Sequence, residues 1–311
     1  MKKYLFSLLT LFVSATMCLS LSSCGDDDDE GGGSVTTSGN LETPNYANES
    51  ARYDVTSSNT DILSIELTES GDYIVIKTNS YNTYSKSSVT NKSLGAFLSK
   101  NTSLKSRASS SSNIITGKYT KTSDTEYMLT GWGKIAITGS TNDALSITVT
   151  PNNGSTYTVP VAKHTQNPSS SLTSQICRTW NASTFKVSGK EYDIREFNSI
   201  ISQLIRESYN ISTDFNLNLD DETPKQVIFT KSGTYMVKWT DGELGISTWT
   251  WENENRGILR YSWDYYDMYS KNESGYANVS FRGNQLEVTE NLEFAEEAPS
   301  WQLTWYFNEA E

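Results

Sequence analysis

The 311-residue sequence has one histidine, His164. That scarcity removes most histidine chemistry, because a histidine-based triad or a zinc site needs an imidazole set among matching partners. Cysteine is nearly as scarce, with Cys18, Cys24 and Cys177. If the first two belong to a leader and its junction, Cys177 stands alone. No intramolecular disulfide can then form, and Cys177 reads as a small buried hydrophobe. Basic residues are outnumbered 25 to 37, a formal charge of −12. Without Lys2 and Lys3 the balance is 23 to 37, or −14. Nucleic acid is excluded as a partner on this ground, since phosphate binding needs a basic footprint. There is no Gly-rich phosphate loop, CxxC pair, HExxH or GxSxG. Asp214, Asn216, Asn218 and Asp220 alternate like calcium-loop ligands, but position six lacks glycine and position twelve is Lys225, so no metal site is expected there. No pair among the acidic residues stands out as a glycosidase pair. The chain reads as a non-enzyme without a cofactor.

What the sequence does have begins at its N-terminus. Lys2 and Lys3 precede an apolar run, Tyr4 to Leu21, which ends in small residues at Cys24. This is the charge order of a secretory signal, and the acidic run after it is unlike the basic flank of a stop-transfer anchor. Leu21-Ser22-Ser23-Cys24 resembles the lipobox of bacterial lipoproteins. The resemblance implies cleavage before Cys24 and acylation of that residue, with the lipid its only covalent addition. Each buried methylene contributes about 0.8 kcal/mol, so two or three chains hold a protein stably at a membrane. Asp26, Asp27, Asp28 and Asp29 follow directly. This run resembles the export signal of surface lipoproteins of the Bacteroidota and implies an outer-membrane, cell-surface location. Like charges also extend the chain, and residues 24–50 are expected to form a Gly/Ser-rich tether after a signal over 1–23.

Past residue 50 the chain reads as all-β. A first domain is expected over 51–165, with strands at Ile62–Thr68, Tyr73–Thr78, Ile114–Thr120, Glu126–Thr130, Trp132–Thr138, Ala144–Thr150 and Thr156–Ala162. A Ser-rich excursion over 79–113 interrupts it. Gln166, Asn167, Pro168 and three serines mark a boundary.

The second domain spans 172–311. A strand over Cys177–Val187 carries Trp180. A helix follows, with Ile194, Phe197, Ile200, Ile201, Leu204 and Ile205 at three- and four-residue spacing, and Asp193 with Glu196 forms a capping box at its start. Seven alternating strands come next: Gln226–Thr230, Thr234–Thr240, Ile246–Glu252, Gly257–Trp263, Tyr276–Arg282, Gln285–Glu290 and Ser300–Phe307. Tight turns containing glycine join several of them. Large residues share one face: Tyr235, Val237, Trp239, Trp249, Trp251, Leu259, Tyr261, Trp263, Val279, Phe281, Leu286, Val288, Trp301, Leu303, Trp305 and Phe307. Eight sequential strands with one apolar face bury it, and lose their open edges, by closing into an up-and-down barrel. The fold expected is therefore two antiparallel β domains, the second an eight-stranded barrel with a helix between its first two strands.

Arg178-Thr179-Trp180, the helix, Phe229-Thr230-Lys231-Ser232-Gly233-Thr234-Tyr235, Trp249-Thr250-Trp251 and the Gly283-Asn284 turn resemble the lipocalin-like domains of Bacteroidota lipoproteins. The likeness covers 172–311. It departs from true lipocalins at Arg178, where a glycine is expected, and in the intervening helix. Thr68-Glu69-Ser70-Gly71-Asp72-Tyr73 also echoes Thr230-Lys231-Ser232-Gly233-Thr234-Tyr235, which suggests a diverged duplication.

The aromatic set is the lead to function. Trp239, Trp249, Trp251, Tyr261 and Trp263 line a cavity or fill the barrel, and an eight-stranded interior admits side chains or one small ligand. Tyr265, Tyr266 and Tyr269 sit in a rim loop that can stack on a sugar, anchor a protein or cap the mouth. The readings are a cell-surface binding module for a small molecule or glycan, and alternatively an interaction subunit of an outer-membrane complex. Protease treatment of intact cells is expected to remove the protein, and Cys24→Ala is expected to release it from the membrane fraction. Resistance of the wild type in shaved but unlysed cells would defeat the surface assignment.

Overall fold

The computed structural model describes residues 39, 41–58, 60–77, 114–139, 144–164, 167, 170–209, 223–240, 242, 244–262, 274–292 and 301–310. The signal segment, Cys24, Asp26 to Asp29 and the 79–113 excursion lie outside the described residues.

The all-β expectation holds, and both domains are closed eight-stranded antiparallel barrels. In the first, β1 (Ala51–Val55), β2 (Ile62–Leu67), β3 (Asp72–Lys77), β4 (Ile114–Lys121), β5 (Glu126–Leu129), β6 (Gly133–Thr138), β7 (Ser146–Pro151) and β8 (Tyr157–Lys163) pair in chain order. The sequence reading has no strand at Ala51–Val55. This short segment closes the barrel, pairing with β2 on one side and β8 on the other. Inward side chains such as Ile65, Val75, Tyr119, Leu129, Ile135, Ile147 and Val149 form its core.

The second barrel follows α1 (Ser171–Ile176), a helix the sequence reading does not contain. Its strands are β9 (Thr179–Val187), β11 (Pro224–Phe229), β12 (Thr234–Trp239), β13 (Leu244–Asn253), β14 (Ile258–Ser262), β15 (Ser274–Arg282), β16 (Gln285–Leu292) and β17 (Trp301–Glu309). A short extra strand, β10 (Lys190–Asp193), pairs with β9, and β9 closes the barrel on β17. The helix falls where the periodicity places it, as α2 (Phe197–Tyr209) after a 3-10 turn over Ile194–Glu196. Asp193 and Glu196 form the expected capping box, with the Asp193 N–H donating to Glu196 Oε2 at 3.2 Å. Phe197 and Ile201 are buried in the barrel core, and Ile194, Ile200 and Leu204 pack on it. The Ile205 side chain lies outside the described residues. Every described member of the aromatic and aliphatic face predicted from alternation belongs to that core or, as Trp251, Phe281 and Trp301 do, packs against it.

The repeated phrase is also a repeated structure. In β2–β3, Thr68 N donates to Asp72 O at 2.8 Å, Gly71 N to Thr68 O at 3.2 Å and Asp72 N to Thr68 Oγ1 at 3.0 Å. In β11–β12, Thr230 N donates to Thr234 O, Gly233 N to Thr230 O and Thr234 N to Thr230 Oγ1, each at 3.0 Å. The glycine holds positive φ in both, +74° at Gly71 and +86° at Gly233, a conformation that glycine adopts without steric cost.

These two hairpins face each other. Outward residues of both barrels form a second-face core of Ile74, Ile76, Ile114, Ile228, Met236, Leu244 and Ile246, so these strands are buried on both sides. Polar bonds flank it. Glu66 accepts from Ser232 Oγ and, at 2.6 Å, from Thr234 Oγ1. Lys231 N donates to Glu69 Oε1 at 3.2 Å, and Thr179 Oγ1 donates to Asp72 Oδ2 at 2.6 Å.

The tether expected to run to residue 50 gives way to packed chain before that. Gly39 N donates to Gln175 Oε1, Leu41 packs on the second core and Tyr46 on the first. Tyr46 lies 4.7 Å from Tyr119 between ring centroids, over Gly71. The apolar Leu41 and Tyr46 are what the Gly/Ser composition obscures. Buried Arg178 ties this strap to the barrel, donating to Glu42 O at 3.1 Å and to Glu309 Oε1 at 2.5 Å.

Phe197 sits 5.0 Å from Trp305 and 5.1 Å from Phe185. Phe197→Ala is expected to cost about 3–5 kcal/mol by denaturant midpoint. Met128→Ala, at an exposed site, is expected to change stability by less than about 0.5 kcal/mol.

Candidate functional site

The predicted aromatic residues separate into those the structure places and those it does not. Trp239, Trp249 and Tyr261 are buried and Trp251 is half-buried, all in the core of the second barrel. Trp249 meets Phe229 edge-on at 5.7 Å and Trp251 at 5.4 Å. Their indole N–H groups are occupied: Trp249 Nε1 donates to Thr230 O at 3.0 Å and Trp251 Nε1 to Thr173 Oγ1 at 2.8 Å. Tyr235 lies 4.8 Å from Phe229 and 5.1 Å from Tyr261. These rings pack against one another, and as packed they serve as core. Trp263, Tyr265, Tyr266 and Tyr269 lie outside the described residues.

Alternation conceals one polar intrusion in that core. Glu290 follows Leu286 and Val288 on the inward face and is buried. Its Oε1 accepts Trp305 Nε1–H at 2.7 Å. The Tyr235 hydroxyl is buried with no hydrogen-bond partner. Burial, with the Glu290 charge adding to it, pushes the Tyr235 phenol well above its ordinary value. Burial likewise raises Tyr261, with Tyr235 and Glu290 contributing. Both phenols therefore stay neutral. An acceptor facing apolar rings is unusual for a core, since a buried carboxylate carries a large desolvation cost.

An open groove of about 310 Å³ lies at one end of this barrel, lined by Lys186, Ser188, Gly189, Trp301, Gln302 and Thr304. Two local features build it. Ser188 and Gly189 form the β9–β10 turn, both at positive φ, +52° and +81°, which turns the chain sharply at the end of β9. On β17, Trp301 packs partly on the core while Gln302 and Thr304 face outward, and Thr304 pairs with Lys186 across the β17–β9 ladder. The groove thus joins part of an indole to an ammonium, an amide and two hydroxyls. By strand register, this is also the barrel end where β14 stops at Ser262.

The single histidine is paired. His164 Nδ1 lies 2.9 Å from Asp54 Oδ2, and Arg52 Nε donates to Asp54 Oδ1 at 2.7 Å. Burial opposes ionisation of Asp54, but the His164 hydrogen bond and the Arg52 charge outweigh it and hold the carboxyl below its ordinary 3.8. Among the described residues no hydroxyl or thiol bonds to His164. Cys177 is buried, and burial raises its thiol well above the ordinary value, which keeps it protonated and unreactive. Among the described residues no group of three or more His, Cys, Asp or Glu side chains is arranged to hold a metal ion. Residues 214–222 of the calcium-like segment lie outside the described residues.

Sequence reasoning missed Glu290, the Asp54–His164 pair and the groove. Glu290 had a signal, a charge at an inward position of an alternating strand. The other two join residues far apart in the chain, and local pattern carries no trace of them. Because Asp54 is depressed in the folded state, its contribution is present above its unfolded pKa and is lost as pH falls through the folded one. Asp54→Asn is expected to lower the melting temperature at pH 7, by an amount that shrinks as pH falls below the ordinary 3.8 of Asp54, read by paired thermal melts.

Comparison with protein-family models, with curated proteins and with solved structures finds no match for this chain.

Proposed function

We propose that this chain is a lipid-anchored lipoprotein of the outer membrane, displayed on the cell surface, that acts as a non-catalytic binding module for a small molecule or glycan. Cys24 carries the lipid and Asp26 to Asp29 direct the chain outward. The observation that carries the binding reading is the groove at Trp301. A sugar ring offers C–H faces to an aromatic and hydroxyls to flanking polar groups. Trp301 with Lys186, Gln302, Thr304 and Ser188 supplies both kinds of contact, the mixture typical of small-molecule sites. The packed aromatic interior supports a ligand held at the end of the barrel rather than inside it. Trp263, Tyr265, Tyr266 and Tyr269, which follow β14 in sequence, remain candidates for ligand binding.

The alternative, an interaction subunit of a membrane complex, has less support. Met128 and Tyr276 are the exposed large hydrophobics among the described residues, and an obligate partner surface is normally a contiguous apolar patch.

The lipidated full chain in detergent, screened on a glycan array and followed by tryptophan fluorescence titration, is expected to bind a defined saccharide class. Trp301→Ala is expected to weaken that binding roughly tenfold or more, with Trp132→Ala as a neutral control. Absence of saturable binding, or equal affinity in Trp301→Ala, would reject the groove.

A further inference from the structure

The seam between the two barrels holds two buried carboxylates, and they are not equivalent. Glu66 accepts from two hydroxyls of the opposing hairpin, Ser232 and Thr234. Glu69 has one donor across the seam, the Lys231 backbone N–H on Oε1, while its Oε2 has no hydrogen-bond partner. Both side chains are buried, and Glu66 pairs across β2–β3 with Ile74, a member of the apolar layer of Ile74, Ile76, Ile114, Ile228, Met236, Leu244 and Ile246. An ionised carboxylate with a bare oxygen in such a place is costly, and a protonated one much less so.

The charged and titratable groups around Glu69 give it little relief. On its own hairpin stand Glu66, a second acid that accepts from Ser232 and Thr234, and Asp72, which is taken by Thr179 and Lys118. On β4 the Tyr119 hydroxyl donates away from Glu69, to Thr68 O at 2.9 Å. On the strap are Tyr46, whose N–H donates to Glu69 O, and Glu49, paired with Lys121. From the second barrel come Lys231, which bonds Glu69 through its backbone, Cys177, and Arg178, committed to Glu309. Among the described residues no cationic side chain forms an ion pair with Glu69.

We propose that the seam is a proton-controlled contact between the two barrels, closed when Glu69 is neutral and loosened when Glu69 is ionised, with the strap over residues 39–50 packed against both barrels in either case. Burial first, with the Glu66 charge adding to it, outweighs hydrogen bonds from backbone and Ser50 and pushes Glu69 up to about 7 from an ordinary 4.5. The direction follows from these two values. The closed seam binds a proton that the open seam has released between pH 4.5 and about 7. Closure therefore weakens as pH rises through that window and is level above it. One proton changes the open-to-closed ratio by up to about tenfold per pH unit, on the order of a hundredfold or more across the window. On the reading that this is a surface protein, the contact between the two barrels is linked to external acidity. The inference does not depend on the ligand groove, which lies in other strands.

Hydrogen exchange of the full chain across the window, corrected for the intrinsic pH dependence of exchange, tests it. Protection of the Lys231 amide and of β11–β12 is expected to fall by up to about tenfold per pH unit between about 4.5 and 7 and then level off. Amides of β6–β7 and β15–β16 are expected to show no such fall. Glu69→Gln, which fixes a neutral side chain, is expected to remove the slope. Thr234→Val takes a donor from Glu66 and is expected to lower seam protection at every pH while keeping the slope. A flat wild-type profile, an unchanged slope in Glu69→Gln, or loss of the slope in Thr234→Val would overturn the proposal. Infrared difference spectra of the wild type give a readout independent of variant folding: a protonated carboxyl C=O band must disappear as pH passes about 7, and its absence at acidic pH would also overturn it.

Discussion

Closure of each sheet on itself is the constraint from which the rest follows. An antiparallel sheet of eight strands has two edges of unpaired N–H and C=O groups and one apolar face, and closing it removes both problems at once. β1 performs this for the first barrel and β9 for the second. Once closed, each barrel has a fixed interior. In the second, that interior is filled by rings from several strands, and α2 adds Phe197 and Ile201. Aromatic residues that read equally well as pocket lining are thereby committed to packing, and the open groove lies at the barrel end instead.

A second constraint acts between the barrels. Strands β2, β3, β11 and β12 each bury their outward as well as their inward faces, so polar residues there need partners from the opposite barrel. Glu66 and Glu69 meet the hairpin that echoes their own, at Ser232, Thr234 and Lys231. The same local turn thus serves twice, once as a hairpin and once as a surface complementary to its counterpart. Its geometry repeats because a glycine with positive φ and a threonine hydroxyl fix both copies alike.

The functional proposals draw on different parts of the chain for a physical reason. The proposed anchoring rests on a short linear signal, Cys24 and its aspartates, of a kind that needs no fold to be recognised. The proposed binding rests on a groove assembled from β9, its turn and β17, residues more than a hundred positions apart. Control by protons depends on burial at the seam, which exists only when both barrels are formed.

Much of the architecture was legible in the sequence, because alternation of period two and glycine-bearing turns are local properties. The all-β class, the α2 stripe with its capping box, the inward aromatic face and the repeated hairpin could be read directly. β1 and α1 could not: each is only five or six residues long, and each is held by neighbours distant in sequence. The same holds for Leu41 and Tyr46, which look like tether until barrels exist to receive them. Composition determined what chemistry is scarce: one histidine, an unpaired buried cysteine and an acidic balance. Tertiary structure alone decided which groups meet. It paired His164 with Asp54, put Glu290 among rings and enclosed Glu69 between two barrels, because burial and pairing depend on distances in space that local sequence does not encode.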